Sequence, residues 1–144
     1  MRPLGVLLVI SLIGACGFST APLPTATAVI GSTTVSLLHG SYCWSSGGQG
    51  TCANSAPPDM LLKTGYLKPL SEPAGASVRV NFSAPAHGLA VEIEWTASGT
   101  QLGPVYHDES GFNLPVDPDR YVIAITGYFD EGDVGFLLPV DVTR

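Results

Sequence analysis

Apolar and polar residues alternate through much of the second half of this chain. Val78, Val80 and Phe82 fall on one face of an extended segment whose other face carries Arg79 and Asn81. Leu89, Val91, Ile93 and Trp95 repeat the pattern opposite Glu92 and Glu94. A period of two belongs to a strand with one face on a core. Pro85-Ala86-His87-Gly88 supplies turn residues between the two segments, so a hairpin is expected, with Arg79 on the same outer face as the glutamates.

The remaining elements follow by the same reasoning. Tyr121 to Phe129 and Val134 to Val142 are strand-like runs separated by Asp130-Glu131-Gly132-Asp133, a tight turn. Pro139 in the last run predicts an edge position or a bulge, because it cannot donate to a ladder. Gly103 to Pro115 suggests two short edge strands, around Val105-Tyr106 and Phe112-Leu114. Val29 to Trp44 is rich in β-branched residues, with Gly31 and Gly40 marking a turn or bulge. Ser45 to Gly50 reads as a loop. Pro58 suits the first turn of a short helix that Thr64-Gly65 would end. The expected fold is all-β, a single immunoglobulin-like β-sandwich with one short helical turn.

The first residues follow a different pattern. Met1-Arg2 precedes an apolar run from Leu4 to Ile13 and then Gly14-Ala15-Cys16. A positive start, a short apolar stretch and small residues before a cut site are the parts of a secretory signal peptide. The run is too short for a membrane span, which needs about 20 apolar residues. Ile13-Gly14-Ala15-Cys16 resembles the lipobox of bacterial lipoproteins. That resemblance implies cleavage before Cys16, lipidation of its thiol and a lipid anchor in the cell membrane or outer membrane, on the extracytoplasmic side. Phe18 to Thr27 is a charge-free Pro/Thr/Ala stretch and reads as a tether. The expected organisation is therefore signal peptide 1–15, lipidated cysteine and tether 16–28, and β-sandwich domain 29–144.

Composition narrows the function classes. With Arg2 in the leader, Lys63, Lys68, Arg79, Arg120 and Arg144 stand against 12 acidic side chains. They are scattered and form no basic patch, so nucleic acid is not an expected partner. Lipidation of Cys16 leaves Cys43 and Cys52, an even pair in an exported chain, which reads as a disulfide. Closing a ring of that size contributes roughly 2.5–3 kcal/mol by the loop-entropy model.

Two further resemblances bear on the domain. Asp117-Pro118-Asp119-Arg120-Tyr121-Val122-Ile123 looks like the Asp-x-Gly-x-Tyr-x-Cys corner of immunoglobulin-like domains. Asp119 stands where Gly or Ala is usual, and Ile123 where the inter-sheet cysteine would be. The resemblance implies a structural Tyr121 whose hydroxyl bonds back to nearby backbone, and Trp95 as the core tryptophan. Gly40-Ser41-Tyr42-Cys43-Trp44, Cys52, Ser55 to Leu61 and the Tyr121 to Phe136 region together resemble small bacterial lipoproteins. That likeness implies an extracytoplasmic β-rich module and brings no activity with it.

Candidate chemistry is sparse. His107 and Glu109 would share a strand face beside Asp108, and Asp130-Glu131-Gly132-Asp133 offers carboxylates, but a solvated edge and a hairpin turn need the same residue types. Glu92 and Glu94 lie roughly 7 Å apart by strand geometry with no cleft indicated. No nucleophile elbow, zinc-protease motif, P-loop or dinucleotide fingerprint occurs, so no catalytic residue, metal or cofactor is assigned. His39 reads as a packed residue. Tyr42 and Trp44, beside a stapled loop, are the expected binding surface, for a protein or a carbohydrate. Core packing is the competing reading, since they share a face. The expected role is a lipid-anchored binding or envelope-interaction module; a structural or accessory subunit without a ligand pocket is the alternative, and a cryptic hydrolase the weakest reading.

Overall fold

The computed structural model describes residues 21–100 and 102–144, so the expected signal peptide 1–15 and the expected lipidation site Cys16 lie outside the described residues. The first strands are β1 (Ala26–Ile30), β2 (Thr33–Ser36), β3 (Leu38–Ser46) and β4 (Gln49–Ala53), followed by helix α1 (Pro58–Lys63). Then come β5 (Leu70–Pro73), β6 (Ser77–Phe82), β7 (Gly88–Thr96), β8 (Gly103–Pro104), β9 (Gly111–Asn113), β10 (Arg120–Phe129) and β11 (Gly132–Thr143). One sheet runs β2-β1-β6-β9 and the other β4-β3-β11-β10-β7-β8, with β5 parallel to the far half of β11. The two sheets face each other across one core, making a β-sandwich with one short helix.

The run from Val29 to Trp44 is three strands rather than one. β1 begins at Ala26, three residues before the expected domain start, and Ala21 and Leu23 already pack against the core. The expected loop from Ser45 to Gly50 is mostly ladder: β3 and β4 extend to Ser46 and Gln49, and only Gly47-Gly48 turns. Both glycines have positive φ, which is what a two-residue hairpin turn of this kind demands. The larger correction concerns β6 and β7. They are consecutive but do not pair; β6 lies between β1 and β9, and β7 lies beside β10. The segment after Phe82 crosses from one sheet to the other, so Val78 and Val80 meet Leu89 and Val91 across the core rather than along a ladder. Arg79 and the two glutamates therefore lie on opposite outer surfaces.

The core is built around β10 and β11. Tyr121, Ile123 and Ile125 point between the sheets, while Val122 and Ala124 point outward and are also buried. The outward pair is covered by Leu61 and Leu62 of α1 and by Leu67. Pro58 opens that helix and Lys63 pairs with Asp59 at 3.2 Å. A bulge on β7 decides the fate of Trp95. Ile93 pairs with Ile123 but Trp95 pairs with Val122, leaving Glu94 as the extra residue. The bulge reverses the faces beyond it, so Thr96 turns inward and Trp95 packs outside with Val122 and Leu137. Trp95 is thus not the inter-sheet tryptophan.

The tyrosine corner is present: Tyr121 is buried and its hydroxyl donates to the Asp117 carbonyl at 2.7 Å. Pro139 occupies a local edge within a central strand. β3 pairs with β11 only as far as Leu137, and β5 begins its pairing at Val140. Val142 donates to Asp119 on one side, and Thr143 accepts from Ala74 on the other. By strand alternation Pro139 directs its missing N–H toward that second side, at the gap between partners, where no donor is wanted.

Candidate functional site

Trp44 is not a surface residue. It is 8% exposed, meets Phe129 edge to face at 5.7 Å, and donates its indole N–H to the Ala21 carbonyl at 3.1 Å. The covering comes from the segment ahead of β1, which runs along β3. Its Ala21 sits at Trp44, and its Pro24 carbonyl accepts from His39 Nε2 at 2.6 Å. His39 in turn stacks on Phe136, so it is a packed residue. Tyr42 is half-buried and, with Leu23, Trp44, Gln49 and Thr51, lines an open depression of about 270 Å³. Trp44 is thus packed mainly from within the chain, while Tyr42 stays partly accessible beside it. Beside it, Cys43 and Cys52 form a disulfide between directly opposed residues of β3 and β4.

A second candidate site lies on the outer face of the four-stranded sheet. That face is uncovered and polar, with Thr27 and Val29 on β1, Ser77, Arg79 and Asn81 on β6, and Asn113 on β9. A cavity of about 160 Å³ opens there, lined by Arg79, Tyr106, His107, Asp108, Ser110 and Asn113 among others. Tyr106 is 92% exposed. Arg79 belongs to none of the ion pairs found among the described residues. Two local features shape the rim. Asp108 Oδ1 accepts from the backbone N–H groups of Ser110 and Gly111 at 2.7 and 2.8 Å, which holds its carboxyl below the usual range. Gly111 lets β9 approach β6: a Cβ there would lie 2.1 Å from the Val78 carbonyl oxygen.

This site was not legible as a site in the sequence. Arg79 read as an outer-face residue and Tyr106 as part of an edge strand, 27 positions apart in the sequence. What joins them is the segment from β8 to β9, which passes from the edge of one sheet to the edge of the other. The other candidates do not converge. His107 lines this cavity whereas Glu109 lines a separate one near His87, because residues 108–110 turn rather than extend. Asp130 pairs with His87 at 2.9 Å in the hairpin turn. Among the described residues no three of His, Cys, Asp and Glu come together to hold a metal ion.

Glu92 and Glu94 are neighbours at the bulge. Burial, and secondarily the Glu92 charge, raises the Glu94 carboxyl above its ordinary value. Its folded pKa therefore exceeds the unfolded one, and the folded state binds the proton more tightly. Stability falls as pH rises through the interval between them. Glu94→Gln is expected to raise Tm at neutral pH, with the gain disappearing below the ordinary glutamate pKa. Thermal melts across pH check this, and a gain that persists in acid would contradict it.

No protein-family model matches this chain, and neither does any curated protein or any solved structure compared with it.

Proposed function

We propose that this chain is a lipid-anchored extracytoplasmic β-sandwich that acts as a binding module in the cell envelope. Cys16 is the lipidated residue, and the membrane is the partner it engages. The anchoring reading rests on Ile13-Gly14-Ala15-Cys16 and the leader before it. No helix among the described residues is long and apolar enough to cross a membrane.

The binding reading rests on one observation, a 92% exposed Tyr106 beside the unpaired Arg79 in a polar cavity. The ligand class that fits is a short acidic sugar. Arg79 offers a planar fork for a carboxylate, Ser110 and Asn113 offer partners for hydroxyls, and the Tyr106 ring offers a face for stacking. The chain's acidic balance disfavours a long polyanion but is screened beyond about 8 Å at physiological salt. Among the described residues the one carboxylate in the cavity lining, Asp108, already accepts from the Ser110 and Gly111 N–H groups, so a single carboxylate can approach Arg79.

The test is NMR titration of the protein with cellobiouronic acid and with neutral cellobiose. The acidic sugar is expected to bind at least about ten-fold more tightly, as a charge-assisted hydrogen bond of roughly 1.5–3 kcal/mol requires. Arg79→Gln should remove the discrimination, Tyr106→Ala should weaken both sugars, and Met60→Ala on α1 should change neither. Equal affinity of wild type and Arg79→Gln would end this assignment. Independently, Cys16→Ser should abolish palmitate incorporation and release the protein from membranes.

A further inference from the structure

The lipobox defines one end of the tether, and the fold defines the other. A tether from Cys16 to Val29 would reach about 45 Å, but Ala21 is already docked on Trp44. Only five Cα–Cα steps separate Cys16 from Ala21, and they span at most about 18 Å whatever path they take. The sandwich is much longer than that. β11 alone has 12 residues, about 40 Å at strand rise.

Trp44 lies at one end of this length, opposite Gly132 at the start of β11. Three connections meet there. Ser45 N–H donates to the Glu131 carbonyl at 2.8 Å, which ties the β3–β4 turn to the β10–β11 turn. His87 N–H donates to the Tyr128 carbonyl at 2.8 Å, and its ring pairs with Asp130, which adds the crossing from β6 to β7. The opposite end carries Thr143, Ala74 and the Asp119–Ser98 contact.

We infer that the end formed by Gly47-Gly48, His87 and Asp130-Glu131 faces the lipid headgroups, and that the Asp117–Arg120 end points away from the membrane. This orientation rests on the anchoring reading above. The partner is a phospholipid surface, held by the acyl chains rather than by the domain. Among the described residues Gly47-Gly48, His87 and Asp130-Glu131 carry no large exposed apolar side chain, although Tyr128 is exposed beside them, and the excess of acidic groups opposes laying the domain flat on an anionic leaflet. The short leash also hides the Trp44 depression from soluble ligands, while the Arg79 face stays open at the side.

The test uses the full acylated protein in vesicles of phosphatidylethanolamine and phosphatidylglycerol containing a nickel-chelating lipid. A nitroxide is placed at Gln49→Cys or at Val116→Cys, both exposed, one at each end. Nickel relaxation of the nitroxide is expected to be several-fold stronger at position 49 than at position 116. Palmitate labelling is measured on the same samples. Acylated protein with equal or reversed relaxation overturns the orientation and leaves the anchor standing. Protein that incorporates no palmitate overturns the anchoring reading and the orientation with it. Circular dichroism matching the wild type establishes that each labelled variant is folded.

Discussion

Phe136→Ala is expected to destabilise the domain by about 3–5 kcal/mol, the range for emptying a buried aromatic site. Phe136 is fully buried on β11, opposite Ile125, and its ring stacks with His39 at 5.2 Å and Phe82 at 5.7 Å. Those two partners come from different sheets, so the ring is one of the few that ties the sheets together directly. The surrounding ladder cannot collapse into the space without breaking hydrogen bonds on β10 and β3. Against a typical total of about 5–15 kcal/mol, such a loss lowers Tm by roughly 10–20 °C. Urea melts check it through a lower midpoint at unchanged slope. A loss below about 1.5 kcal/mol would mean that the sheets do not close on this ring.

Gly132→Ala should cost about 3 kcal/mol or more, for a reason unrelated to burial. Gly132 has φ of 149°, in the region that only glycine adopts freely. A Cβ there would also lie 2.0 Å from the Cys43 carbonyl oxygen, which is backbone and cannot rotate away. Both terms add: the strained dihedral, and a forced separation of β3 from β11 next to the disulfide. Gly88→Ala is the matched comparison, since nothing lies within 4 Å of the Cβ it would add. Chemical denaturation of the two variants should differ by a factor of several in the stability lost. Equal effects would show that β3 and β11 part easily at this point.

Local alternation carried much of the fold. The inward faces of β6 and β7 were readable because burial on one face imposes a period of two. The Asp117 to Ile123 corner was readable because Tyr121 and Asp117 sit at a fixed spacing, and the observed bond joins them. The helix boundaries followed from Pro58 and Thr64-Gly65, local stereochemistry again. The Cys43–Cys52 disulfide was expected from counting, on the reading that Cys16 is set aside in a lipobox and two cysteines remain to pair.

What failed was pairing and facing. Nothing in Pro85-Ala86-His87-Gly88 distinguishes a hairpin from a crossing between sheets. Nothing at Glu94 announces the bulge that turns Trp95 outward. Trp44 is buried because its cover is Ala21 to Pro24, a stretch whose composition reads as tether. Low-complexity residues order themselves when a strand offers ring N–H donors to their carbonyls, as Trp44 and His39 on β3 do here.

By itself, then, the sequence determined the period of most strands, several of the turns, which cysteines pair and that an all-β sandwich results. These depend on period, backbone stereochemistry and cysteine count, all local quantities. Only the tertiary structure decided which strands are neighbours, that Ala21 docks on Trp44, and that Arg79 and Tyr106 share a cavity. Those are contacts between segments distant in the chain, selected by the closing of two sheets on one another, and no local pattern encodes that choice.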